Sequence, residues 1–172
     1  MTAIFKIFSF LSLLISFTTV TKATEETMWT RSFSKLYSDV NKEDIWHLWK
    51  DVNTWPQWNK GIDYSKMEGP FEVGNFFMLK PKGGNPVKIV LTEVKEGRKF
   101  TDCTTFPGAE MYDTHVIEET PEGLLLSNTL VVTGPEKLLW IDRIVQNIAD
   151  KVPYKMDALV NLARESRSKS VD

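Results

Sequence analysis

Two aspartates and a histidine, Asp102, Asp113 and His115, flank a Pro107-Gly108 turn signal, on segments that alternate apolar and polar residues. If Pro107-Gly108 closes a two-residue hairpin, Asp102 faces Asp113 across neighbouring strands and His115 lies over Phe100. Two carboxylates so placed in an apolar wall cannot both ionise cheaply. One is expected to keep its proton well above the ordinary aspartate value of about 3.9. A shared proton beside an imidazole is equipment for acid/base chemistry, such as enolising or dehydrating a bound carbonyl compound. The same three residues would also serve as a polar patch that orients a ligand headgroup. A shifted register would instead turn the acids to water.

The same parity argument extends along the chain if Gly83-Gly84, Glu96-Gly97 and Glu122-Gly123 are also two-residue turns. One sheet face then collects Phe76, Met78, Ile89, Leu91, Phe100, Met111, Ile117, Leu126 and Leu130, together with Asp102, Asp113, His115 and Asn128. The other collects Phe77, Leu79, Val90, Cys103 and Tyr112. The first face is richer in large apolar groups and is expected to line a cavity. Its Phe76, Met78, Ile89, Leu91, Phe100, Met111, His115, Asn128 and Leu130, with Met156 from a later helix, are the expected ligand-binding residues. A single bulge would reverse everything beyond it.

The elements that must position these residues are legible from periodicity. Trp29 to Tyr37 alternates like a strand, and Asn41 before Glu43 and Asp44 reads as a helix start. That helix carries Ile45, Trp46, Leu48 and Trp49, and a short turn follows at Trp55-Pro56-Gln57-Trp58. Four tryptophans so close together suit either an aromatic ligand platform or dense packing of helix against sheet. Beyond Ile62 short strands separated by glycine turns describe an antiparallel meander. After Gly134-Pro135 the apolar period becomes helical, through Leu138, Ile141, Val145, Ile148, Val152, Met156, Leu159 and Ala163. Pro153 is expected to kink or restart that helix. The only partner for its stripe is the sheet.

Composition removes several classes. The 172 residues are 42% hydrophobic and 26% charged, an ordinary globular balance. A net charge of −2 gives no basic surplus for nucleic acid. One cysteine, Cys103, excludes an internal disulfide, and with His47 and His115 as the only histidines no metal site is expected. No cofactor is expected either: Gly83-Gly84 lacks the longer pattern and following helix of a phosphate cradle.

The N-terminal segment has its own character. Lys6 precedes the uncharged run Ile7 to Phe17, and Thr21-Lys22-Ala23 offers a small-residue exit. This describes a secretory signal peptide over residues 1–23, too short for a spanning helix of about 20 apolar residues. The expected product is exported, to the periplasm or the outside, with no stable transmembrane anchor after cleavage near Ala23. Residues 24–165 form the expected domain and 166–172 a frayed tail.

Several short segments, in order, resemble the polyketide cyclase/dehydrase branch of the START and birch-pollen-allergen superfamily. They are Asp44-Ile45-Trp46, Asp51 to Trp58, Gly69-Pro70-Phe71 with Gly74, Leu91-Thr92-Glu93-Val94, Phe100-Thr101, Pro107-Gly108-Ala109, His115 and Gly134-Pro135. The resemblance covers about residues 30–165. It implies an α+β helix-grip fold, in which a curved antiparallel sheet of about seven strands wraps a long C-terminal helix, with two short helices after the first strand. It also implies an apolar small-molecule partner such as a lipid, quinone or polyketide, and no catalytic set. Three functions follow as expectations: an exported binding protein for such a molecule, a cyclase- or dehydratase-like enzyme acting on it, or a structural or partner-binding domain with a filled interior.

Overall fold

A computed structural model describes residues 28–169, so the segment 1–23 read as a signal peptide lies outside the described residues. β1 (Trp29–Tyr37) leads into α1 (Lys42–Lys50) and a 3-10 turn at Val52–Gln57. Six strands follow: β2 (Ile62–Met67), β3 (Phe76–Pro81), β4 (Val87–Lys95), β5 (Lys99–Phe106), β6 (Ala109–Thr120) and β7 (Gly123–Thr133). They form one seven-stranded antiparallel sheet in the order β1-β7-β6-β5-β4-β3-β2. The chain ends in α2 (Lys137–Trp140), a π-turn at Ile141–Val145 and α3 (Gln146–Ser168).

Two glycines make the β7 ends possible. Gly123 has φ +137°, and a Cβ there would lie 2.3 Å from the Tyr37 carbonyl oxygen at the end of β1. Gly134 has φ +98°, and a Cβ would come within 2.5 Å of the Gly108 carbonyl. Only a residue without a side chain fits such approaches.

The long helix departs from the sequence reading in three ways. Pro153 lies inside α3 without ending it, while the irregularity falls upstream in the π-turn. That turn rotates the stripe, so Val145, Ala149, Val152, Met156, Leu159, Val160 and Ala163 face the sheet while Leu138 stays 73% exposed. Trp140 folds back instead, stacking on Phe106 at 4.6 Å and donating Nε1–H to the Pro107 carbonyl at 2.9 Å. Finally, the helix runs to Ser168, into the segment read as a frayed tail, because the Arg167 guanidinium grips the Asp44 carboxylate on α1 at 2.7 Å.

The space between sheet and helix is closely packed. Leu91, Phe100, Leu126, Val132, Val145 and Val160 expose nothing to water. Phe100 sits at the centre of an aromatic cluster, edge-on to Trp49 at 5.4 Å and to Phe71 at 5.2 Å, and Trp55 meets Phe77 at 5.0 Å. All four neighbouring tryptophans, Trp46, Trp49, Trp55 and Trp58, are buried and form part of this core rather than an exposed platform. Each brings a large apolar area together with favourable edge-to-face contacts.

Candidate functional site

One polar cluster interrupts this apolar interior, and the sheet register builds it. β5 and β6 meet at a two-residue Pro107-Gly108 turn, since Phe106 pairs with Ala109. Asp102 therefore stands opposite Asp113, and Phe100 opposite His115. β7 then places Asn128 beside His115. Asn128 donates from Nδ2 to Asp113 Oδ1 at 2.6 Å and lies 3.1 Å from His115 Nδ1, while His115 Nε2 is 3.3 Å from Asp113 Oδ1. The Asn128 amide nitrogen can only donate, so the His115 nitrogen that faces it is the acceptor. Phe100 stacks on the other side of the imidazole, and Trp49 meets it edge-on at 5.4 Å.

The two carboxyl groups differ. Burial, with the neighbouring Asp113 charge added to it, pushes Asp102 well above the usual aspartate range. Asp102 makes no side-chain hydrogen bond among the described residues. Burial opposes ionisation of Asp113 too, but His115, Lys155 and Asn128 outweigh it and hold that carboxyl below its ordinary value. The surroundings thus favour the protonated form of Asp102 and the ionised form of Asp113.

Lys155 is the member the sequence reading missed. It lies on α3 between Val152 and Leu159 and is half-buried. Burial lowers its pKa, with the charges of Asp113 and Asp102 opposing that shift. Its position three residues after one member of the apolar stripe and four before another was the available signal.

The expected lining residues are distributed unevenly. Ile89, Leu91, Phe100, Met111, Asn128, Leu130 and Met156 are all buried on the inner side. Phe76 and Met78 are not on that face. β3 pairs Phe77 with Ile89 and Leu79 with Val87, one residue off the pairing that a Gly83-Gly84 turn would give. Phe77 therefore points inward and is 1% exposed, whereas Phe76 is 42% exposed under the Lys88 ammonium at 4.2 Å.

Around the fully buried Leu91 and Phe100 the interior holds the aromatic cluster. A pocket of about 240 Å³ lies instead between β1, β7 and α3. Arg31, Ser32, Phe33, Leu130, Ala149, Asp150, Val152 and Pro153 line it, and so does Asn128, which joins it to the polar cluster. Pro153 supplies no N–H to the Ala149 carbonyl, so a backbone acceptor at the pocket lacks its usual helical donor. A larger open groove of about 740 Å³ at the other end, flanked by Lys42, Lys95, Arg98 and Lys99, shares no residue with the cluster. Among the described residues no group of ligands could hold a metal ion.

A seven-stranded antiparallel sheet closed over a long C-terminal helix is a helix-grip fold, and several solved structures share it. Solved structures with this fold include norcoclaurine synthase from Thalictrum flavum in complex with dopamine and hydroxybenzaldehyde, at 13% identity and TM-score 0.63, covering 90% of this chain and 97% of that one. Ara h 8.0201 aligns at 13% identity and TM-score 0.65 over 81% and 99%. The di-domain ARO/CYC StfQ from the steffimycin biosynthetic pathway aligns at 13% identity and TM-score 0.67, over 83% of this chain and 53% of that one. No family model matches the sequence, and no curated protein does.

Proposed function

We propose that the protein binds a small, mainly apolar molecule whose polar end meets the Asp102–Asp113–His115–Asn128–Lys155 cluster. The observation that carries this reading is the cluster itself: two facing carboxyl groups, an imidazole and an amide in an otherwise apolar interior, joined by Asn128 to a pocket of about 240 Å³. A buried polar group is costly unless something satisfies it. Apolar walls with a few convergent polar groups are the common pattern of small-molecule sites. Complexes of norcoclaurine synthase with small aromatic molecules show that this architecture accepts such ligands elsewhere. The pocket, of about 240 Å³, suits a small ligand.

Titrating the protein with an apolar fluorescent dye, and displacing the dye with single-ring alcohols and carbonyl compounds, tests the reading. Ala149→Phe should fill the pocket and abolish uptake while the protein stays folded. Unchanged uptake by that variant, or no uptake by the parent, would favour a structural or partner-binding domain.

The opposition of Asp102 and Asp113 beside His115 favours a second reading, a cyclase- or dehydratase-like enzyme. Protonated Asp102 would be the acid and His115 or Asp113 the base toward a bound carbonyl compound. Turnover that disappears in both Asp102→Asn and His115→Gln would establish it.

Export is proposed on the residues 1–23 alone; no helix among the described residues is long and apolar enough to cross a membrane. N-terminal sequencing of cell-derived protein should find a start near Thr24. An intact Met1 on cytosolic protein would overturn this.

A further inference from the structure

The pocket between β1, β7 and α3 is walled by acceptors that lack donors. Asn128 supplies the first. Its Nδ2 is committed on the β6 side, to Asp113 Oδ1 at 2.6 Å and to His115 Nδ1 at 3.1 Å. The opposite amide orientation would set two acceptor oxygens 2.6 Å apart, so the amide oxygen faces away from Asp113. That Oδ1 accepts no hydrogen bond among the described residues, and it is not one of the fully enclosed atoms. Asn128 is only 4% exposed and lines the pocket, so its free oxygen opens there.

The second acceptor comes from α3. Ala149 and Pro153 both line the pocket, and Pro153 has no N–H to give the Ala149 carbonyl. The nearby donors are already used. On the exposed rim the Arg31 guanidinium donates to Asp150 at 3.4 Å, and Gln146 donates to the same carboxylate at 2.8 Å. The Ser32 hydroxyl pairs with that of Thr129 at 2.9 Å. Phe33, Leu130 and Val152 are apolar wall.

These groups select the polar end of a ligand. A carbonyl, ether or carboxylate would set its lone pairs against Asn128 Oδ1 and leave both acceptors unpaired, which is costly away from water. An ammonium could donate, but it would bury a charge without a free partner. Asp150 is shared by Arg31 and Gln146, and Asp113 is engaged by Asn128 and His115. A neutral hydroxyl gives its proton to the amide oxygen and meets neither cost.

We infer that the pocket is specific for a neutral hydroxyl compound, an apolar alcohol or phenol that donates its O–H to Asn128 Oδ1. The inference rests on the ligand-binding reading above and adds the ligand class and the residue that sets it.

The test uses the full-length protein, with the bound dye displaced in turn by benzyl alcohol, benzaldehyde, benzoate and benzylamine at neutral pH. The four are alike in size and differ in polar end. Benzyl alcohol should compete about tenfold more tightly than the aldehyde or either ion. Its binding should also shift the Asn128 side-chain amide resonances by NMR. Asn128→Leu should bring alcohol and aldehyde to within about twofold of each other. Should that variant fail to fold, the comparison on the parent protein decides alone. Equal affinity for alcohol and aldehyde, or tighter binding of benzoate or benzylamine, would overturn the inference while ligand binding stands. An alcohol preference that survives in Asn128→Leu would overturn it too. If none of the four displaces the dye, both readings fail.

Discussion

The Phe100 ring lies flat against the His115 imidazole, centroids 4.3 Å apart and planes 12° from parallel. The contact follows from register, because the two residues are direct cross-strand partners on β5 and β6. It fixes the imidazole between an aromatic face and the Asp113–Asn128 hydrogen bonds, so apolar core and polar cluster share one side chain. Phe100→Ala should cost about 3–5 kcal/mol, the range for a fully buried aromatic. Phe100→Leu should cost less, yet still broaden the His115 ring resonances by NMR as the stack is lost. A sharp, unmoved His115 signal in the leucine variant would show that the hydrogen bonds alone hold the ring.

Asp102 should make the protein less stable as pH rises. Its folded pKa is raised above the unfolded value, so the unfolded state gives up the proton first. Stability from this group is full below the ordinary aspartate pKa of about 3.9 and falls as pH climbs toward the raised folded value. Asp102→Asn, which imitates the protonated acid, should therefore raise the urea midpoint at neutral pH, and the gain should vanish near pH 3. An equal effect at both pH values would mean that ionisation is not the cause.

Asp113 should act in the opposite direction. Its folded pKa is lowered, so its contribution is present above the unfolded value and is lost as pH falls through the folded one. Asp113→Asn removes the charge that raises both Asp102 and Lys155. NMR titration should find both groups moved down, with Asp102 still above an exposed aspartate because burial is its larger cause. Unmoved titrations would show that the residues do not sense one another.

Gly123→Ala should cost about 2 kcal/mol or more, since it combines a positive φ with a Cβ 2.3 Å from the Tyr37 carbonyl. Gly83→Ala also has a positive φ, but its Cβ meets nothing within 4 Å, so it should cost less. Denaturant melts of the pair separate crowding from backbone strain.

How far each register could be read depended on its turn. Pro107-Gly108 is a true two-residue turn, so the pairings of Asp102 with Asp113 and Phe100 with His115 were available from spacing alone. Around Gly83-Gly84 the chain instead spans from Leu79 to Val87, which exchanged Phe77 for Phe76. Between β6 and β7 the turn falls at Pro121-Glu122, since Thr120 pairs with Gly123; the shift is even, so Asn128 kept its face but acquired His115 as partner. The expected two-residue Glu96-Gly97 turn has three residues, since Lys95 pairs with Lys99, but the bulge between Leu91 and Glu93 cancels the extra residue and restores the pairing of Leu91 with Asp102. Lys155 was hidden because a lone charge beside an apolar stripe reads as an exposed flank until the helix is docked. The burial of the four tryptophans was hidden for a similar reason, since their spacing is the same whether they pack in the core or line a surface.

The strand that opens the sheet finds its hydrogen-bonding partner only in the one that closes it, with Trp29 opposite Val132 and Tyr37 opposite Leu124. About a hundred residues separate these partners, so β1 can dock only after nearly the whole chain is available, a non-local closure of the kind that slows folding. Until then β7 presents a bare edge of Leu124, Leu126, Leu130 and Val132, a template for pairing with another chain. A chain clipped within β1, which leaves the β7 edge uncovered, should therefore be the aggregating form of this protein.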